Sequence, residues 1–408
     1  MHQNIELLSQ TDFSLQDAMS FMRAFIACID QTGGDQTQVF QFLQANHTRL
    51  SYSLLDELPR VFELLLPKPT PKPRRGVGLF GSKPAAQDQQ TIAWYFFQLG
   101  CFLYSFPLGK KMLNLELSIV SFELALQVRT RDASPKSWAA TQNNLGLAYA
   151  DRIRGNRAEN LEQAIAVYQS TLQVYKRDTF PQEWAATQNN LGNAYSKRIQ
   201  GDRADNLERA IAAYQLALQV RTRDALPQDW ATTQNNLGNA YSERMQGDRA
   251  ENLEQAIAAV KLALQVRTRD TVPQHWAATY HNLGLIYSHR IQGDRADNLE
   301  KAIAAYQLAL QVRTRDAFPK QWAATHHHLG LAYMERLQGD RADNLEQAIT
   351  AFELALQVRT QDAYPQDWAI TQNNLASAYK NRLRGDRAEN LERAIAAYEL
   401  AQQGHLVY

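Results

Sequence analysis

Apolar residues recur at three- and four-residue steps through most of the chain, and the runs come in pairs separated by short polar breaks. In one such pair, Trp184, Thr187, Leu191, Ala194 and Tyr195 form a single stripe along a helix. Gly201-Asp-Arg-Ala interrupts the pattern, and Leu207, Ala210, Ile211, Tyr214, Ala217 and Leu218 form a second stripe. Asp205, with Glu208 three residues on, reads as a capping box that opens the second helix. Asp224-Ala-Leu-Pro227 reads as its end, because proline lacks a donor and bars helical geometry in the residue before it. Small residues such as Gly192, Ala210 and Ala217 sit among the large ones and allow close approach. The pattern predicts an antiparallel helix pair.

The pair repeats. Trp138, Trp184, Trp230, Trp276, Trp322 and Trp368 are evenly spaced, with nearly the same wording around each. Moving the frame back two periods from Leu191-Gly192 lands on Leu99-Gly100, and Asn206-Leu207-Glu208 lands on Asn114-Leu115-Glu116. A divergent first unit therefore lies in register, giving seven units over residues 91–408. A period of this length marks a solenoid, in which each unit buries its apolar face only against its neighbours. Residues 1–66 read as a small separate helical domain, with an amphipathic run from Ser14, a break at Gly33-Gly34 and further apolar runs over 39–43 and 54–66. Residues 67–90 read as a Pro/Gly-rich basic linker carrying Lys68, Lys72, Arg74, Arg75 and Lys83.

The charge balance, 43 basic against 42 acidic residues, argues against nucleic acid or an anionic membrane as the dominant partner. Cys28 and Cys101 are too few for a disulfide framework or a zinc site, which suits a reducing cytoplasm. Met1-His-Gln-Asn-Ile lacks the basic start of a signal peptide. The most apolar stretch, 91–108, is interrupted by Gln98, Gly100 and Pro107 and falls short of a membrane span. No phosphate loop, nucleophile constellation or metal-ligand spacing is present, so the expectation is a non-enzymatic protein with no catalytic residues, no cofactor and no metal. In His326-His327-His328 adjacent helical positions point about 100° apart, and three in a row do not converge on one ion.

The wording L-G-x-x-Y followed by A-x-x-x-Y/F-x-x-A, here Leu191, Gly192, Tyr195, Ala210, Tyr214 and Ala217, is similar to the tetratricopeptide motif. The unit is stretched beyond the usual length of about 34 residues, which predicts a longer turn and a longer second helix. Thr187-Gln-Asn-Asn-Leu191 resembles kinesin-light-chain repeats. The wording over roughly 90–403, including Phe106-Pro-Leu-Gly109, resembles the repeat half of bacterial CHAT-domain proteins, in which a caspase-like Cys/His domain follows the repeats. These resemblances imply an all-α, right-handed superhelical solenoid of seven helix pairs. Its implied function is a scaffold that grips a peptide or helical segment of a protein partner in a groove lined by the first helices. The alternative is a sensor half that controls a caspase-like protease, beyond this chain or in trans. Only Gly404-His-Leu-Val-Tyr408 follows the seventh unit, so the chain reads as a repeat-only relative or the amino-terminal part of a longer protein. Its last helix is expected to stop about one turn short.

In the tetratricopeptide frame, the positions two before, one before and two after the Leu-Gly leucine face the groove. The first two are Asn143/Asn144, Asn189/Asn190, Asn235/Asn236, His281/Asn282, His327/His328 and Asn373/Asn374. Asparagine is unfavourable inside a helix because its side chain competes with the backbone, so a ladder of it asks for a reason. Each carboxamide offers two donors and an acceptor, enough to hold a peptide main chain. The expected groove contacts are Asn143, Asn189, Asn193, Asn235, Asn239, His281, His327 and Asn373. The competing role is a tie between helices across the unit boundary. Selectivity is expected from the variable column Leu147, Asn193, Asn239, Leu285, Leu331 and Ser377. Ala140, Ala186 and Ala278 stand where a carboxylate clamp needs cations, so a free C-terminal carboxylate is not the expected ligand. Two charge ladders, one running from Arg152 to Arg382 and one from Asp178 to Asp362, are expected to bridge successive units. His281 and His327 are expected to titrate near pH 6.5.

Overall fold

A computed structural model describes residues 13–67 and 84–405; most of the expected linker lies outside the described residues. Among them are 17 α-helices and no strand. The chain divides into two compact units, one ending at Asn206 and one beginning at Leu207.

In the first unit, α1 (Leu15–Thr32), α2 (Gln36–Ala45) and α3 (Tyr52–Leu65) precede the pairs α4 (Pro84–Ser105)/α5 (Lys111–Val128) and α6 (Pro135–Asp151)/α7 (Arg157–Thr171), then α8 (Pro181–Ser196). Ser14 caps α1 reciprocally with Asp17, as the serine-to-acid spacing requires. Phe21, Phe25, Val39, Leu58 and Phe62 are buried in one core with Phe96, Leu99, Leu103 and Leu113. The amino-terminal helices thus share their core with α4 and α5. Phe40 packs edge-on to Phe106 with ring centres 5.5 Å apart.

Helix α9 (Arg203–Leu218) spans the boundary between the units. The second unit then stacks α10 (Pro227–Glu243)/α11 (Arg249–Leu264), α12 (Pro273–His289)/α13 (Arg295–Leu310), α14 (Pro319–Glu335)/α15 (Arg341–Leu356) and α16 (Pro365–Asn381)/α17 (Arg387–His405). Each first helix also touches the first helix of the next pair, as α10 does α12 and α12 does α14. The first helix has 17 residues and the second 16, with a link over 265–272 before the next pair. The turn within the pair spans 244–248.

Three sequence expectations about helix ends are corrected. Proline opens each first helix, as Pro227 and Pro273 do at the first helical turn, where a missing N–H costs nothing. The second helix ends well before it, at Leu218 or Leu264. The cap of α9 is Asp202, which accepts from the Asp205 N–H at 3.0 Å; Asp205 lies inside the helix. The last helix is also not shortened, since α17 runs to His405 over 19 residues.

From the second repeat onwards the turn between the paired helices is built the same way. Gly247 takes φ 80°, which other residues rarely adopt, and Asp248 caps α11. Buried Asn252 donates to the Gln246 carbonyl at 2.8 Å and closes the turn from inside. Arg290 follows α12 and reaches back one repeat, holding Glu254 through Nε at 2.6 Å and Nη2 at 2.9 Å while Nη1 donates to Asn298. The same bidentate bridge joins Arg152 to Glu116, Arg198 to Glu162, Arg244 to Glu208, Arg336 to Glu300 and Arg382 to Glu346. The arginine ladder does bridge repeats, but its partners are these glutamates rather than the aspartates from Asp178 to Asp362. The guanidinium holds the Glu254 carboxyl below its ordinary range. Both partners are partly exposed, so replacing Arg290 with Met is expected to lower stability by only about 1 kcal/mol in thermal denaturation. An unchanged midpoint would show that the bridges do not hold the repeats together.

Candidate binding face of the first helices

The first helices are tied together by a column of buried threonines. Thr279, Thr325 and Thr371 have no exposed surface. Each donates its only hydroxyl proton to the carbonyl four residues back, at 2.7, 2.7 and 2.6 Å. Their remaining lone pairs receive a guanidinium from the preceding link: Arg267 at 2.7 Å, Arg313 at 2.9 Å and Arg359 at 2.9 Å. Arg129 to Thr141 and Arg221 to Thr233 repeat the contact. Burial pushes Arg129, Arg267 and Arg313 down to about 10, so they stay charged at neutral pH. Arg221 and Arg359 have Asp229 and Asp367 at 3.6 and 3.8 Å, whereas Arg267 also donates to Thr232. Sequence reasoning missed these cations. The signal was present in the V-R-T wording of the links, broken only where Tyr175-Lys176 replaces Arg-Thr.

The column two before the leucine is not an open wall. Asn189, Asn235, His281 and His327 are buried, and in the second unit the next first helix lies over Asn235, His281 and His327. Asn235 Oδ1 accepts from Asn282 at 3.1 Å, and Asn143 Oδ1 accepts from Asn190 at 3.3 Å. His281 Nδ1 meets Thr325 Oγ1 at 3.1 Å and His327 Nδ1 meets Thr371 Oγ1 at 3.0 Å. Since each threonine proton is already donated, Nδ1 of both histidines carries the hydrogen. Asn143, Asn235, His281 and His327 thus tie repeat to repeat, the role that competes with ligand contact. Of the eight expected residues, Asn143, Asn193 and Asn239 are half-buried and Asn373 is exposed.

The histidines form a cluster. His281 lies against Tyr306 and His328, and His328 stacks on Tyr306 at 18°. Burial pushes His326 down to about 4, His327 to about 3 and His328 to about 4, with His281 also well below the ordinary value. The expected titration near pH 6.5 is therefore corrected: the buried rings stay neutral far below it.

Partly open positions remain along the face. Leu147 and Asn193 in the first unit, and Asn239, Leu285, Leu331 and Ser377 in the second, are all half-buried. Beside Leu331, a cavity of about 160 Å³ opens between α12, α13 and α14, lined by Ser288, Tyr306, His328 and Glu335 among others. Among the described residues no group of three His, Cys, Asp or Glu side chains is placed to hold a metal. No described helix is long and apolar enough to cross a membrane.

The tetratricopeptide repeat family model matches residues 138–178, 184–223, 230–266 and 276–315. These four segments are tetratricopeptide repeats. No curated protein sequence matches the chain. Among solved structures, the quorum sensor NprR from B. thuringiensis in its apo form is 13% identical, with 96% of this chain and 99% of that one covered and a TM-score of 0.53. The apo form of RapI is 12% identical, covering 77% and 97%, with a TM-score of 0.51. BtubC (BKLC) from P. vanneervenii is 21% identical, covering 60% and 91%, with a TM-score of 0.45. At these identities the likeness concerns the fold of the tetratricopeptide helices alone.

Proposed function

We propose that the tetratricopeptide array is a non-enzymatic interaction scaffold of the cytoplasm, which holds a peptide or helical segment of a protein partner along the face of its first helices. The observation that carries this reading is the half-buried column in which Asn239 gives way to Leu285 and Leu331, then to Ser377. A row that passes from amide to leucine at successive repeats suits a segment with both polar and apolar side chains. The floor beneath it is rigid, since its threonines, asparagines and arginines are engaged with one another; such preorganisation reduces the ordering cost of binding. Arg267 and Arg313 lie in that floor, and among the described residues no carboxylate bridges either of them. Their charge favours a partner segment that carries acidic side chains.

The test is capture of partners by the wild-type chain and by a Leu285→Glu, Leu331→Glu variant, with the captured proteins identified by mass spectrometry. The variant is expected to lose the specific partners, because two carboxylates now occupy the apolar part of the row. If both chains capture the same proteins with the same yield, the first-helix face is not the binding site.

A further inference from the structure

Every repeat from the second onwards keeps one large aliphatic side chain in the turn between its helices, where solvent reaches most of it. Ile153, Ile199, Met245, Ile291, Leu337 and Leu383 are between 58% and 67% exposed. The residue type drifts among isoleucine, methionine and leucine while its apolar character persists. The next position is polar throughout: Arg154, Gln200, Gln246, Gln292, Gln338 and Arg384. Recent copying would preserve the type, and free drift at a solvated site would admit polar residues. Neither describes this column. Single exposed aliphatic residues are ordinary, but a regular series of them marks an interaction surface.

In the second unit, Met245, Ile291, Leu337 and Leu383 stand on four successive turns. Stacked helices set a spacing of about 10 Å between them. The turns are rigid, held by positive-φ glycines and by buried Asn252, Asn298 and Asn344. Neighbouring turns are tied by the Arg384–Asp343 ion pair. The two ends of the row differ in charge. The Met245 turn exposes Glu243, Asp248 and Glu251 against Arg249, whereas the Leu383 turn exposes Lys380, Arg384 and Arg387 against Asp386 and Glu389.

We propose that this row is the contact surface of a second copy of the chain, paired antiparallel about a two-fold axis. A second copy brings an identical spacing of aliphatic side chains. The antiparallel sense sets the acidic end of each row against the basic end of the other, as an isologous interface requires. A lipid surface is a poorer match, because the acidic turn at Met245 repels anionic headgroups.

Sedimentation velocity of the full chain over roughly 1–100 μM tests the proposal. The wild type is expected to pass reversibly from monomer to dimer. An Ile291→Lys, Leu337→Lys variant, altered only at exposed turn positions, is expected to keep its helicity and dimerise about 100-fold more weakly. Arg384→Glu is expected to weaken the dimer, and adding Glu243→Arg in the same chain to restore it. A wild type that stays monomeric throughout, or a double-lysine variant that dimerises like the wild type, overturns the proposal. A dimer indifferent to the charge reversals overturns the antiparallel arrangement.

Discussion

Taking the protein from pH 7 to pH 5 is expected to destabilise the second unit by about 2 kcal/mol for each of His326, His327 and His328. In the unfolded chain these rings take up a proton as the pH falls through about 6.5. In the folded unit burial holds them at about 4, 3 and 4, so they remain neutral at pH 5. The unfolded state then binds close to one more proton per ring. The stability is fully present above pH 6.5 and is lost progressively as the pH falls towards the folded values. Three such terms together approach the whole stability of an ordinary domain, so the histidine-bearing repeats are expected to open in mild acid. Urea denaturation at pH 7 and pH 5 measures the loss. Substituting His327→Asn and His328→Asn, which introduces the residue most sister repeats carry, is expected to remove about 2 kcal/mol of it per site. A stability that does not change between the two pH values would contradict the buried, neutral cluster.

The second large effect is expected at Thr325. Its hydroxyl oxygen accepts from both the Arg313 guanidinium and the His281 ring. Valine has nearly the same shape and no acceptor. Thr325→Val leaves a buried cation and a buried N–H without a partner, at a cost of about 2–4 kcal/mol. The internal control is Thr187→Val. The link before α8 carries Tyr175 in place of arginine, so no guanidinium from that position loses its acceptor there. That substitution is expected to cost clearly less. Equal losses at the two threonines in chemical denaturation would mean that the arginine contact adds nothing.

The helix pairs and their register were legible because Leu191, Gly192, Tyr195, Ala210 and Tyr214 record helical spacing directly, and the period repeats it. The ends of the helices were harder to read. Asp202 and Asp205 are both placed as caps in the sequence, and only the backbone decides which carboxylate reaches a free amide. The arginine bridges illustrate the same limit. Glutamates and aspartates recur with one period, so both ladders match Arg290 equally well until geometry selects Glu254. The face of the first helix was also legible, but its accessibility was not. Asn235 and Asn239 lie on that face alike, and the following first helix covers only Asn235. The buried arginines were overlooked because a charged residue in a polar link reads as solvated. Threonine supplies the neutral acceptor that lets it be buried.

The bridge between repeats has a direction, and the direction bears on how such a chain changes length. Each unit extends its arginine backwards and its glutamate forwards. A unit duplicated within the gene therefore arrives with both halves of its connections and joins the series without any compensating substitution. At one extreme the first unit has Phe106 where the arginine would stand, and it packs into the amino-terminal core. At the other, Glu392 retains the forward half of the bridge in the seventh unit. Growth and shrinkage by whole modules are thereby open to the interior, while the amino-terminal boundary is fixed by a side chain that has given up the coupling chemistry.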